Sequence, residues 1–233
     1  MGVSGGPNVI QEGLVLSLDA SDRNSYVSGS TTWFDLSGNN NNGTFASTGS
    51  VFPSYSSLAG GSITFDQAST FIDCNYSYSS SPLLWSTSVW FNPTNYSNGP
   101  FLVGGASGVG FTETIQITGA GKVVGATKNS GNNSYSVTTS TSAPINSWTN
   151  FVVTMDWNGN SIRGYFNGNL ESTNNSISGS IMNTTGITRI GRRPDGGNYF
   201  GGRIAIVQTY NRILTPTEIQ QNYNAQKSRF GLT

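Results

Sequence analysis

Apolar residues in this chain alternate one for one with small polar ones in short runs, and a period of two commits each run to a β-strand with one face toward a core. Leu14, Leu16 and Leu18 alternate with Val15, Ser17 and Asp19, and Ile63 and Phe65 alternate with Ser62, Thr64 and Asp66. The same spacing puts Trp85, Thr87, Val89 and Phe91 on one face, then Phe151, Val153 and Met155, then Ile162, Gly164 and Phe166. Trp90 falls on the face opposite Trp85 and needs cover of its own. Trp148 reads as core or sheet-face packing.

Between the runs stand Asn98-Gly99, Asn158-Gly159, Asn167-Gly168 and Asp195-Gly196. Such dipeptides accept the positive φ angles of tight hairpin turns. The segment 148–169 thus predicts two strands joined by an Asn-Gly hairpin. Residues 37–50 and 128–142 are poorer in apolar residues and read as exposed loops or edge material, with Tyr135 and Val137 leaving room for a weak strand in the second. No fixed repeat is present, so a propeller or solenoid is excluded in favour of a sandwich. One helix is predicted near the carboxyl end, capped by Thr215, opened by Pro216 and completed as a capping box by Glu218. Its Ile219 and Tyr223 lie four apart on one face and should dock on the sheet, closing one end of the sandwich.

Charge narrows the functional classes. Charged residues make up 9% of the 233 residues, eleven basic and eleven acidic, with no histidine and one cysteine. Gly, Asn, Ser and Thr together supply roughly half the chain and keep its surface wet. A neutral chain has no steering field for nucleic acid. Without histidine there is no Ser-His-Asp or Cys-His hydrolase and no His-ligated zinc. Cys74 has no partner for an internal disulfide. Neither a signal peptide nor an apolar run of about 20 residues is present, so neither secretion nor membrane insertion is expected.

The chain resembles the laminin-G-like, concanavalin A-like jelly rolls over roughly residues 13 to 224. Residues 13–20 (GLVLSLDA), 33–38 (WFDLSG) and 42–44 (NGT) look like the family's opening strand and turn. Residues 62–66 (SITFD), 85–93 (WSTSVWFNP) and 148–159 resemble later strands, although Thr149 and Asn150 stand where the family has two histidines. Residues 202–219 resemble the closing "G-x-I-D-x-V-x-I-Y-N-R-A-L-S-x-x-E-I", with Ala205 replacing a common acid. The implied fold is an all-β sandwich of two antiparallel sheets with one short C-terminal helix. We divide the chain into an arm at 1–12, a jelly-roll domain at 13–228 and a tail at 229–233.

The resemblance is strongest to single-domain members from tailed bacteriophages, including the start Gly5-Gly6-Pro7-Asn8. It implies a virion structural protein on the outer surface of a phage particle, present in multiple copies and acting by contact with other virion proteins. A peripheral capsid decoration with the Gly5 to Asn8 arm as its docking element is expected. A glycan- or receptor-binding module of a tail fibre or baseplate is the alternative.

Chemistry within the chain favours binding over catalysis. Retaining glycanases need two carboxyls about 5–5.5 Å apart, which i, i+2 residues on a strand provide. No two acids here are separated by a single residue, and no catalytic residue is assigned. Calcium, which the fold often holds at a loop rim, needs several convergent oxygens. Asp19, Asp22, Asp66 and Asp73 are the weak candidates, with turn capping the competing reading, and no cofactor is required. Trp33, Tyr55, Tyr96, Tyr199 and Phe200 fall in predicted loops and are candidate contacts for a ligand or partner. Arg192-Arg193 is the one doubled charge and a candidate for an acidic partner surface.

Overall fold

The computed structural model describes residues 8–78, 83–107, 110–182 and 186–233. In chain order the strands are β1 (Leu14–Asp19), β2 (Thr32–Trp33), β3 (Gly43–Ser47), β4 (Ser54–Ser56), β5 (Ser62–Asp66), β6 (Thr70–Cys74), β7 (Leu84–Pro93) and β8 (Phe101–Ser107). They continue as β9 (Gly110–Ile117), β10 (Lys122–Lys128), β11 (Ser134–Ser142), β12 (Thr149–Asp156), β13 (Ser161–Phe166), β14 (Asn169–Asn174), β15 (Thr188–Ile190) and β16 (Gly201–Tyr210). Helix α1 (Pro216–Gln226) follows, and 3-10 turns occupy Leu58–Gly60 and Lys227–Phe230.

Among the described residues the strand pairings are antiparallel, and they form two eight-stranded sheets. The first runs β14-β13-β12-β7-β16-β5-β4, with β1 also on β16; the second runs β11-β10-β9-β8-β15-β6-β3-β2. The chain is therefore the expected all-β jelly-roll sandwich with one short C-terminal helix. The inward faces follow the alternation read from the sequence: Val89, Phe91, Phe151, Val153 and Val207 meet Ile72, Val103, Ile115 and Ile190 in the main core. The hairpin expected from Asn158-Gly159 joins β12 to β13, in register Phe151 to Phe166. Asn167 and Gly168, at φ 48° and 80°, make the next hairpin turn into β14.

Both low-apolarity stretches contain a strand, the second being the edge strand its Tyr135 and Val137 left room for. Residues 43–47 form β3, where Phe45 is buried, and residues 134–142 form β11. Both lie near sheet margins, where one face meets water and few apolar residues are needed.

The helix has the caps expected of it: Thr215 Oγ1 accepts from Glu218 N–H, and the Glu218 carboxylate accepts from Thr215 N–H at 2.8 Å. Its position differs from the expectation. It lies across the outer face of the first sheet rather than closing an end, because that face carries large apolar residues needing cover. Val152, Tyr165 and Tyr210 pack beneath Leu214 and Ile219. Trp90 stacks on Phe230 at 4.1 Å and on Tyr223 at 5.6 Å, and its indole N–H donates to Gln226 Oε1 at 2.7 Å. Trp148 packs in this outer layer against Phe230, the sheet-face alternative of its sequence reading.

Ile10, Phe230 and Leu232 pack in the same layer, so neither residue 12 nor residue 229 is a packing boundary. Ile10 N–H donates to Asn222 Oδ1 at 2.8 Å, and the Tyr210 hydroxyl donates to the Ile10 carbonyl at 3.1 Å. Phe230 is 8% exposed. Burying a phenyl against indole contributes several kcal/mol, so Phe230→Ala should cost about 3 kcal/mol. Denaturant melts of the variant check this, with a loss under about 1 kcal/mol counting against the outer layer as a stabilising element.

Candidate functional site

The loop from β1 to β2 carries the chain from one sheet to the other, and beside it the margins of the two sheets leave an opening. Tyr26 fills that opening. Its ring is 6% exposed and stacks on Phe45 of the core at 5.8 Å with planes 9° apart. Tyr55, on the edge strand β4, stacks on the other side of Tyr26 at 5.0 Å and 11°. Phe45, Tyr26 and Tyr55 thus form a near-parallel ladder leading from core to surface, and the last ring is 37% exposed.

A cleft of about 540 Å³ opens at this ladder. Tyr26 and Tyr55 give it aromatic surface, Ser21 and Ser28 give hydroxyls, Val27 an exposed apolar edge and Arg23 a guanidinium. Ala20 and Gly60 complete the lining. Burial raises the Tyr26 pKa, with a partial offset from a backbone hydrogen bond at Gly29, so the phenol stays protonated at neutral pH. Its hydroxyl donates to the Ser30 carbonyl at 3.2 Å and fixes the loop.

The walls of the cleft are tied by a residue expected to be tail. The Arg229 guanidinium donates to Asp19 Oδ1 at 2.6 Å, to the Ala59 carbonyl at 2.6 Å and to the Gly61 carbonyl at 2.5 Å. The end of β1 and the turn before β5 are thereby clamped together. Gly61, at φ 145°, lets them meet, since a Cβ there would sit 2.3 Å from the Ala20 carbonyl oxygen.

The residues singled out in the sequence are dispersed. Tyr55 is in the cleft. Trp33 and Phe200 are corrected from contacts to core, each 0% exposed. Strand β2 has only two residues, too few to show alternation around Trp33, and Phe200 packs edge-on against Phe65 at 6.0 Å just before β16 begins. Tyr96 is half-buried, with its hydroxyl on the Ala143 carbonyl. Tyr199 is also half-buried, and its hydroxyl shares a 2.9 Å hydrogen bond with Thr48. Arg192 is wedged between Phe71 at 4.7 Å and Tyr199 at 5.2 Å, and Arg193 pairs with Asp195. Neither arginine is therefore the uncommitted charge the doublet suggested. Of the docking-arm residues, Gly5, Gly6 and Pro7 lie outside the described residues, and the Asn8 carbonyl accepts from Gln221.

The acids named for calcium do not converge, and among the described residues no group of three potential ligands forms. Asp19 is bound to Arg229 and Ser21, Asp22 accepts from Asn24 N–H at 2.8 Å, and Asp73 pairs with Arg189 at 2.8 Å. Asp66 turns inward on its own loop. It accepts from the N–H groups of Ala68, Ser69 and Thr70 and from two hydroxyls. Partial burial opposes its charge, but those donors outweigh it and hold the carboxyl far below its ordinary range.

Residues 74–220 match the laminin G-like family model described as the concanavalin A-like lectin/glucanases superfamily. The chain belongs to that superfamily. Solved structures agree in fold. The binding domain of Paraclostridial Mosquitocidal Protein 1 superposes with a TM-score of 0.71 at 17% identity, covering 92% of this chain and 52% of its own. Domain 4 of AbnA, a GH43 extracellular arabinanase from Geobacillus stearothermophilus solved with arabinotriose, gives 0.69 at 16%, covering 90% and 98%. The binding domain of Botulinum Neurotoxin DC solved with SialylT gives 0.69 at 15%, covering 93% and 52%. This superfamily member thus spans about half the length of the toxin domains and nearly the whole of the arabinanase domain. No curated protein matches it in sequence.

Sequence reasoning missed Tyr26, Arg23, Ser21 and Ser28. Tyr26 is a loop aromatic by the criterion that selected Tyr55, but nothing in one dimension shows that the two rings meet. The loop capped by Asp66 supplies a test of its local role. Asp66→Asn should cost about 1–2 kcal/mol at pH 7, the range for losing a side-chain cap, with little added by the exposed charge itself. Because the folded pKa is lowered, wild type holds this advantage above the ordinary value of 3.8 and loses it as pH falls further. Thermal melts of both proteins from pH 7 to pH 2 should therefore converge, and parallel curves would contradict the assignment.

Proposed function

We propose that this protein is a non-catalytic, lectin-type module that holds a saccharide in the cleft beside Tyr55. The observation that carries the reading is the exposed end of the tyrosine ladder. A ring stacked on a second ring that is itself anchored in the core is a rigid platform, so a sugar face can settle on it with little ordering cost. Hydroxyls at the rim then supply the polar contacts that orient a ligand. Membership of a superfamily that includes lectins supports the reading, as do the arabinotriose of the AbnA domain and the SialylT of the toxin domain.

Catalysis is disfavoured by the same geometry. Among the described residues no acid lines the cleft. Asp66, Glu171 and Glu218 all titrate below their ordinary values, Glu218 at about 2 through its hydrogen bond from Arg212. That is the wrong direction for an acid that must hand a proton to a glycosidic oxygen.

A shallow site of this kind binds weakly, and many copies on one particle would make it effective. The setting we propose is accordingly the outer surface of a tailed-bacteriophage particle, on the strength of the resemblance in residues 5–8 and 13–16. A second reading, a peripheral decoration held by protein contact, is favoured by exposed Val51, Phe52 and Leu58, which are 56%, 52% and 54% accessible.

A glycan array probed with multimerised protein tests the first reading. Saturable binding should fall at least tenfold in Tyr55→Ala while the melting temperature holds, and an empty array would refute it. For the second, Phe52→Ser or deletion of residues 1–7 should block incorporation into particles seen by electron microscopy. Normal incorporation of both would exclude it. Deleting residues 8–12 instead removes Ile10 from the outer layer and should lower stability.

A further inference from the structure

We infer that the cleft selects a sugar carrying a carboxylate, bound by Arg23; this rests on the saccharide reading of the cleft. Arg23 is the one charged residue of the lining, and it is exposed. Among the described residues it makes no ion pair and no hydrogen bond. Arg163 and Arg203 are likewise without an ion pair or hydrogen bond among the described residues, but neither lines the cleft. Arg189, Arg193, Arg212 and Arg229 each pair with an acid, and Arg192 lies between two rings.

The acids that could neutralise Arg23 are already engaged. Asp22, its neighbour in sequence, turns its carboxylate to Asn24 N–H at 2.8 Å. Asp19 is held by Arg229 at 2.6 Å. The cleft therefore offers a positive group with no internal counter-charge in a protein of zero net charge. A guanidinium presents its donors in a planar fork that matches the two oxygens of a carboxylate. Tyr55 lines the same cleft, so an acidic sugar with its apolar face on that ring can direct its carboxylate to Arg23. Ser28, which forms no hydrogen bond among the described residues, is free to meet a ring hydroxyl.

Full-length protein titrated by calorimetry with lactose, 3′-sialyllactose, a glucuronic acid-terminated disaccharide and lactose 3′-sulfate tests this assignment. The two carboxylate sugars bracket the possible sources. At least one of them should bind about tenfold tighter than lactose, and high salt should erase the difference. Arg23→Gln should reduce that ligand to the lactose level, and Arg23→Lys should recover only part, because an ammonium lacks the fork. Arg23 is exposed, so both variants should melt as wild type does.

Equal binding of all four sugars, or a preference that survives Arg23→Gln, would overturn the carboxylate assignment. A sulfated sugar bound as tightly as the best carboxylate would overturn it in favour of general anion binding. If the carboxylate preference is absent but lactose binds and loses affinity in Tyr55→Ala, the saccharide reading stands while the carboxylate assignment falls. If none of the four binds and the array is also empty, both fall together.

Discussion

The cover over Trp90 is the interaction on which much of this structure depends. An indole on the outer face of a central strand leaves a large apolar surface in water unless another element covers it. The chain solves this by returning after β16 as a capped helix, and by continuing through a 3-10 turn until Phe230 stacks on the indole. That stacking fixes the neighbouring residue. Arg229 then reaches Asp19, Ala59 and Gly61 together and joins the two walls of the cleft. A packing requirement on one face thus sets the shape of a site at the sheet margin.

The bulge at Ala205 serves the same end. The register of β16 against β7 shifts between Ile204 and Ile206, so β16 pairs with β5 before this point and with β1 after it. Ala20 N–H donates to the Ala205 carbonyl at 3.0 Å where β1 leaves the sheet. The loop bearing Arg23 and Tyr26 begins there. Ala205, which stands where the resembling family commonly has an acid, is buried and packs under the outer layer with Trp90 and Ile206.

Low charge also has a structural consequence at the site. Among so few ionic groups, most arginines are committed to ion pairs or aromatic faces, and these contacts hold loops rather than recognise partners. The Arg212 to Glu218 pair at 2.7 Å completes the helix start, and the Arg189 to Asp73 pair at 2.8 Å joins β15 to β6. What remains for recognition is a surface of hydroxyls, amides and a few exposed rings. Such a surface suits neutral polar ligands, and the unpaired Arg23 guanidinium at the cleft adds selectivity without altering the general character.

By itself the sequence determined the local architecture: the period-two strands, the Asn167-Gly168 hairpin turn and the Thr215, Pro216 and Glu218 helix start, because each is encoded by contiguous residues acting through backbone geometry. Tertiary structure alone decided where the helix lies, that Trp33 and Phe200 are core, and that Arg229 is a clamp instead of tail. It also decided that Tyr26 and Tyr55, 29 positions apart, form one ladder. Those outcomes depend on which sheet margins meet, and pairing between distant strands is fixed by total burial of both faces, a quantity that no local window contains.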